Sequence, residues 1–459
     1  DPHIIIPPTI VFINPGYDIQ ATIDALPAEG GIVQLNAGVY TINDTIVFPD
    51  DRPVWLRGEG MTEVNTNTGT VIYNASGTSD ADSILIQWHN QRVSDLGLTF
   101  VSTMSSGSGI GTEAVGIRVR PAATIAQRNA ENVVIDNVWV EAAPSWGIYF
   151  EGNEVAADGR LSFDSRVERV HIRGNWNDGG LCLGEGCQNI RLDHIVLSDF
   201  NVNNGVGCQL LGCTTVSFNQ CTIQDIGSTT SPNNIGYNVR LGSNTSGGQN
   251  VNISFNQCHF EDGITTAALL HKHFVLLDGI CDCVSFNECY FIRTNNGVRP
   301  RAIDASGARV RNLSVRGCLV CSVTGVPYAF DDDIVLGTTC YGAMIDGGCS
   351  VAYVAGVWET TPLVVQDNGV NTLIRRPTWT DPLNTSLAAT VIPGWLSIPK
   401  ATAAQLAAAV TGRDGTLAWD STNQVLKVCP GGASWREVLA GPVFYEDGIV
   451  AVDDEAVTY

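Results

Sequence analysis

The chain has 459 residues, 44% of them hydrophobic and 16% charged, and its 47 acidic side chains against 25 basic ones give a formal charge of −22. That is enough apolar material for a large core, and 48 glycines and 19 prolines suit a β protein with many turns. The charge argues against nucleic acid or an anionic membrane surface as partner, and no apolar run is long enough to insert across a bilayer.

Ile19, Ile23 and Leu26 share one face of a short predicted helix, which Pro27 and the Gly30-Gly31 pair terminate. The segments 31–40 and 54–60 read as brief strands set off by Gly or Pro turns, with no hairpin between them. Alternating strands continue at Val133-Val-Ile135, Val170-His-Ile172 and Ile190-Arg-Leu192. The chain then repeats itself. At an offset of 26, Cys182 matches Cys208, Gly186 matches Gly212, Cys187 matches Cys213, Leu192 matches Phe218 and Asp199 matches Asp225. A phrase recurs at looser spacing: Val216-Ser-Phe-Asn-Gln-Cys221, Ile253-Ser-Phe-Asn-Gln-Cys258, Val284-Ser-Phe-Asn-Glu-Cys289 and Leu313-Ser-Val-Arg-Gly-Cys318. A strand-built repeat of roughly 20 to 40 residues fits stacked coils that bury their apolar faces against one another. Phe218, Phe255 and Phe286 share one phase, so they are expected to stack inside. Unequal spacings put loops of different length on one side of the stack, where binding surfaces develop.

The order of elements from Ile19 to Gly60 resembles the N-terminal cap and first coils of the pectate-lyase-like parallel β-helices, a scaffold shared by polysaccharide-active enzymes and phage tailspikes. The resemblance implies an all-β, right-handed parallel β-helix, a solenoid with a short N-terminal capping helix and a small C-terminal β-rich domain. The expected boundaries are an arm and capping helix over 1–30, the solenoid over 31–350, an extended connector over 351–395 and the C-terminal module over 396–459. The resemblance also places Asn219, Asn256 and Asn287 in a stacked column at a tight turn, where Asn suits left-handed backbone and bonds to nearby peptide groups.

Fourteen cysteines fall into columns rather than pairs: Cys221, Cys258, Cys289 and Cys318 share one phase, and Cys187, Cys213 and Cys281 another. Such columns suit small buried thiols, so the cysteines are read as reduced. Cys281-Asp-Cys283 and Cys318-Leu-Val-Cys321 are put down to strand alternation, and no metal or other cofactor is expected. The sequons at Asn252 and Asn312 lie inside predicted coils and are treated as chance. In the last fifty or so residues, 401–410 reads as a helix, and Gly415–Asp420, Gln424–Val428 and Ala433–Val438 as strands. This last phrase resembles small β modules near the ends of phage tail-fibre and virion surface proteins. A homotrimer is the expectation that follows, with Trp395, Trp419, Leu426 and Trp435 supplying the apolar contact.

Glycoside hydrolysis needs two carboxylates, and elimination needs a base with a charge-neutralising partner. The repeat aligns Asp199, Asp225 and Asp262 on one side of the stack, with Arg293 at the same phase one coil later. These three aspartates are the candidate catalytic residues, although Asp is also an ordinary turn residue. Arg293, Arg299 and Arg301 are the candidate substrate-binding residues, with Arg118 and Arg120 further cations able to meet an acidic polysaccharide. Asp331-Asp-Asp333 reads as a solvated loop. The polygalacturonase set (Asn-x-Asp, Asp-Asp, Gly-His-Gly, Arg-x-Lys) and the pectate-lyase Arg-x-Pro-x-x-Arg spacing are both absent. The reading is therefore a tailspike or tail-fibre-like protein on a virion surface, assembled in bacterial cytoplasm, that binds a host surface polysaccharide with or without cleaving it and attaches to other virion tail or capsid proteins. The alternatives are a secreted polysaccharide lyase or glycoside hydrolase and a purely structural fibre or decoration protein.

Overall fold

The computed structural model describes residues 9–61, 68–76, 81–101, 114–122, 129–152, 161–174, 179–198, 200–201, 206–227, 236–242, 248–261, 271–293, 301–307, 309–322, 333–354 and 357–375, together with short strands between 390 and 451. The chain divides into two compact units, Asp1–Ile374 and Arg375–Tyr459.

In the first unit nearly every strand pairs in parallel with the strand one coil later. Among the described residues this builds a large sheet of 27 strands and a small sheet of 11. One coil runs through Gln188–Asp193 and Val196–Ser198, both in the large sheet, and then Val206–Leu211 in the small sheet, before Thr214–Asn219 opens the next. This is a parallel β-helix. The 26-residue offset is a real register: Leu192 pairs with Phe218, which continues to Phe255, Phe286 and Val315. Phe218, Phe255 and Phe286 are all buried, with ring centroids 4.4 and 4.8 Å apart and planes within 17° and 3° of parallel. Phe260 and Phe291 form a second stack at 4.9 Å.

Two tight corners bend the large sheet, and each is one residue in left-handed backbone. The first holds Asn90, Asn132, Asp164, Asn189, Thr215, Asn252, Cys283 and Asn312 with φ between 51° and 56° except for Asn252 at 59°. The sequon residues Asn252 and Asn312 are thus corner residues. The second corner corrects the expectation for the asparagine column. Asn219, Asn256 and Asn287 end strands, and the left-handed residue is the next one, Gln220, Gln257 or Glu288. The column works through side chains: Asn287 Nδ2 donates to Asn256 Oδ1 at 2.9 Å, Asn256 Nδ2 to Asn219 Oδ1 at 2.9 Å, and Asn219 Nδ2 to Asp193 Oδ1 at 2.6 Å. The bend that follows carries a cost of about 1–2 kcal/mol for a residue with a Cβ. Its N–H is satisfied by the next coil, as Gln220 N donates to Asn256 O and Gln257 N to Asn287 O at 2.9 and 2.8 Å.

The cysteine columns stand as expected. Cys221, Cys258, Cys289 and Cys318 are buried free thiols, each with Sγ 3.4–3.6 Å from a carbonyl of the preceding coil. Cys187, Cys213 and Cys281 also share a column, with Asn250 between the last two; its Oδ1 accepts from Gly212 N and Cys213 N. Burial pushes the Cys208 and Cys221 thiols up, which keeps them protonated.

The predicted helix is Ile19–Asp24, opened by Asp18, whose carboxylate accepts from Ala21 N. Ile19 and Ile23 face the core, and Gln20 does for the first strand of the small sheet what a neighbouring strand would. Its side chain accepts from Val47 N at 2.7 Å and donates to Val47 O at 3.1 Å. At the far end, pairing runs past position 350: Val365–Asp367 continues the small sheet and Leu373–Arg375 the large one, with an antiparallel hairpin of Cys349–Val354 and Val357–Pro362 between. Much of the expected connector thus belongs to the solenoid. The hairpin takes the place of a repeat phrase, so the sequence signal fades before the sheets do. The second unit is β-rich, with a four-stranded sheet that includes Thr416–Asp420, Val425–Cys429 and Arg436–Glu437. Trp419 pairs with Leu426 across it. The predicted helix over 401–410 begins on Ala401, a strand residue, and otherwise lies outside the described residues, as does Trp435.

Replacing Phe255 with Ala is expected to cost about 3–5 kcal/mol, because the rings above and below are fixed to their own coils and cannot close the cavity. Urea unfolding of the two chains measures it.

Candidate functional site on the small sheet

The connections around a coil differ in length. Those leaving the small sheet are often tight, as between Leu211 and Thr214 or Leu277 and Ile280, whereas those entering it span Phe100 to Ile117, Glu261 to His271, Arg293 to Arg301 and Ser322 to Ile334. The segments that enter the small sheet therefore differ in length from coil to coil. Period-2 alternation sends Ile148, Leu181, Cys208, Val239, Val275 and Ile303 into the main core. The residues next to them form an outward column through Arg118, Tyr149, Cys182, Gln209, Arg240, Leu276 and Asp304. Beside it runs a second column, Trp146, Gly179, Val206, Tyr237, His273 and Arg301.

The N-terminal part of this face is a closed ion-pair network. Arg118 Nε meets Asp82 Oδ2 at 2.7 Å and its Nη1 meets Glu151 Oε2 at 3.3 Å, while Arg120 Nε reaches the same Glu151 oxygen at 2.6 Å. Arg118, Asp82 and Glu151 are all buried, and Asp82 also accepts from Val115 N. Burial pushes the Asp82 carboxyl up against the pull of Arg118, and burial likewise opposes the charge on Arg118, which Asp82 and Glu151 nevertheless hold above the usual arginine value. Two carboxylates tied to one guanidinium across successive coils staple the sheet. Arg118 and Arg120 are spent on that.

The C-terminal part carries a different set. His273 and Asp304 are buried, with Nδ1 3.4 Å from Oδ2. Arg301 Nη1 bonds the same Asp304 oxygen at 2.6 Å, and Asp304 Oδ1 accepts from Ser306 N at 2.9 Å. Burial works to raise the Asp304 carboxyl, but the Ser306 and Arg301 hydrogen bonds and the His273 ring outweigh it and hold the group below the usual value. The half-buried Tyr237 ring lies parallel to His273, with centroids 6.0 Å apart and planes 10° apart. Burial raises its phenol, with Arg240 opposing, and so keeps it protonated. Arg240 is itself held by Asp278 through Nε and Nη2 at 2.9 and 2.7 Å. Three neighbouring coils thus bring together a phenol, an imidazole backed by a carboxylate, and two half-exposed guanidinium groups, which is a set able to move protons beside an anionic ligand.

Of the residues singled out from the sequence, Arg301 belongs to this cluster. Asp225 is half-buried at a left-handed corner with φ 56°, a column it shares with Ala142 and Gly174, and Gln224 Nε2 lies 3.3 Å from its Oδ2. Asp199, Asp262 and Arg299 lie outside the described residues. Arg293 is turned inward: alternation after Phe291 directs it into the core, where Nη1 meets Asp333 Oδ1 at 3.1 Å. Asp333 is correspondingly buried rather than part of a solvated loop, and its second oxygen accepts from Val364 N at 2.8 Å. Tyr237, His273, Arg240 and Asp304 escaped the sequence reading because the segments entering the small sheet differ in length and break the repeat. Alternation would not have found them either: counting by twos from Val239 and Val275 turns Tyr237 and His273 inward, whereas Phe274 and Val275 are both core residues and the period breaks between His273 and Val275.

No protein-family model matches the chain, and no curated protein matches it in sequence. Solved structures do match. The A-module of a mannuronan C-5 epimerase from Azotobacter vinelandii is 13% identical with a TM-score of 0.46, over 78% of this chain and 92% of that one. ORF18 of Geobacillus virus E2 is 11% identical with a TM-score of 0.38, over 90% and 79%. A capsular polysaccharide depolymerase, the tailspike protein gp49 of Acinetobacter baumannii bacteriophage Fri1, is 14% identical with a TM-score of 0.38, over 75% and 50%. The likeness is one of fold. The strand pairing of this chain establishes that fold on its own.

Removing one member of the Arg293–Asp333 pair strands a buried charge, so Asp333→Leu is expected to cost about 3–5 kcal/mol in urea unfolding. The double variant Arg293→Met with Asp333→Leu should recover most of that loss.

Proposed function

We propose that this chain is a tailspike-like surface protein that binds an acidic polysaccharide of a bacterial host across the outer face of the small sheet and cleaves it by elimination. The observation that carries the reading is the grouping of Tyr237, His273 and Asp304 with Arg240 and Arg301 on three neighbouring coils. Elimination from a uronate removes the proton beside the carboxylate and expels the oxygen that links the next sugar. It needs a cation on the carboxylate, a base for the proton and an acid for the leaving oxygen. Arg240 and Arg301 stand where the carboxylate would be met, and their existing partners Asp278 and Asp304 fix their position. His273 is the base: Asp304 Oδ2, 3.4 Å from Nδ1, stabilises the imidazolium that forms as Nε2 takes the proton. Tyr237, protonated, is the acid.

His273→Ala and Tyr237→Phe are expected to lower the yield of unsaturated uronate ends, read by ultraviolet absorbance, by about 10²–10⁴-fold in chains that circular dichroism shows to be still folded. Asp225→Asn keeps the left-handed corner and should turn over as the parent does. Full turnover in His273→Ala would overturn the elimination reading, and loss in Asp225→Asn with saturated product ends would instead favour hydrolysis by the aspartate column.

The virion setting rests on the resemblance of the 415–438 phrase to the ends of tail-fibre proteins, and with it the assignment of oligomerisation to the second unit. Light scattering on the intact chain should return three times the 49.0 kDa chain mass. A chain ended after Ile374 should keep its solenoid and lose the trimer. A monomeric intact chain would count against this setting and for a secreted enzyme.

A further inference from the structure

We propose that the outer face of the large sheet carries a second glycan site, a non-catalytic track along which a polysaccharide lies parallel to the solenoid axis. The observation is a column of outward residues in continuous register: Trp139, His171, Val196, Thr222, His259 and Tyr290. Successive positions are one coil apart, about 4.8 Å, close to the length of one sugar ring in an extended chain. Four of the six are aromatic or imidazole rings, on a face where alternation would accept any polar residue.

The column is bordered at one place by an open depression. Met61, Arg169, Val170, His171, His194 and Val196 line a cavity of about 330 Å³. Trp139 lies beside His171 with ring centroids 4.0 Å apart, and its Nε1 has no hydrogen-bond partner among the described residues although it is shielded from solvent. Arg169 and His194 are both left-handed corner residues with exposed side chains, so the bend of two successive coils aims a guanidinium and an imidazole along the same rim. At the other end Tyr290 is 48% exposed.

The flanking column decides the kind of occupant. Asp136 is held between Arg92 and Arg169, and Asp193 by Arg191. A protein interface core is depleted of carboxylates, and a row in which each arginine is already bonded to a carboxylate offers a nucleic acid backbone little net positive charge. A sugar ring is matched to the mixture: its C–H face packs on Trp139 or Tyr290, and its hydroxyls bond the exposed His194 imidazole and Arg169 guanidinium. The track belongs to a different sheet from His273, so one long chain could be held here while the other site acts on its own segment.

The test uses the full chain carrying His273→Ala, so that bound glycan is not consumed, against an array of bacterial surface polysaccharides. His194→Asn and Tyr290→Ser are exposed changes that keep the corner and the strand, and together they are expected to weaken binding of the long-chain polysaccharides at least tenfold. Trp139→Leu should do the same, with unfolding compared to separate lost packing from lost contact. Unchanged affinity in the His194→Asn, Tyr290→Ser chain overturns the track, as does a parent chain that binds nothing on the array. Failure of the elimination reading shows up separately, as product release by His273→Ala itself.

Discussion

The fold depends on parallel backbone pairing between coils at a fixed spacing. Once each strand is hydrogen-bonded to the strand one coil on, every side chain stands directly over its counterpart, and the sequence is obliged to be compatible with itself in columns. That obligation explains the interior. Flat rings stack on flat rings, as Phe255 does between Phe218 and Phe286. Thiols stack on thiols, because a small apolar group that can approach a carbonyl of the preceding coil fits a corner where a larger one would not. Asparagine stacks on asparagine, because its side chain both donates and accepts and can therefore continue indefinitely. The ladder is closed at one end by Asp193, which accepts without having to donate.

The same pairing leaves two open ends, whose unpaired strands would otherwise template association. At the N-terminal end Gln20 meets the backbone of Val47 with both halves of its amide. Near the other end Asp333 lies inside the last coils, bonded to Arg293 and to Val364 N, so that one buried carboxylate ties two coils to the segment that follows. Such a pair is a poor source of net stability against an apolar substitute, but it tolerates few arrangements and so fixes how the final coil is seated.

How much of this could be read from the sequence follows from which parts the columns constrain. The phenylalanine register, the thiol columns and the solenoid itself were legible because each tight corner keeps its phrase intact, Phe218, Phe255 and Phe286 each standing three residues before a cysteine, although the coils differ in length. The asparagines were placed one residue from the bend, since a stacked amide and a left-handed residue leave the same mark in a sequence without coordinates. Arg293 was assigned to the outside because its phase was counted from aspartates at a corner, where inward and outward are no longer set by alternation. The small-sheet cluster was illegible apart from Arg301, because the segments that enter that sheet are the ones free to change length.

The small sheet combines connections of unequal length with rigid paired strands. The connecting segments can vary to suit a ligand without disturbing the coils, while the groups that must hold a geometry project from paired strands. His273 and Asp304 come from neighbouring coils and take their separation from the sheet, not from a loop. The N-terminal network on the same face shows what this arrangement gives when every charge is matched and buried: Arg118, Asp82 and Glu151 are stapled and inert. Where the face opens, at Tyr237, Arg240 and Arg301, the guanidinium groups keep a carboxylate partner each and still reach solvent. In a chain with a formal charge of −22, those anchored cations create a local positive field that the overall charge does not.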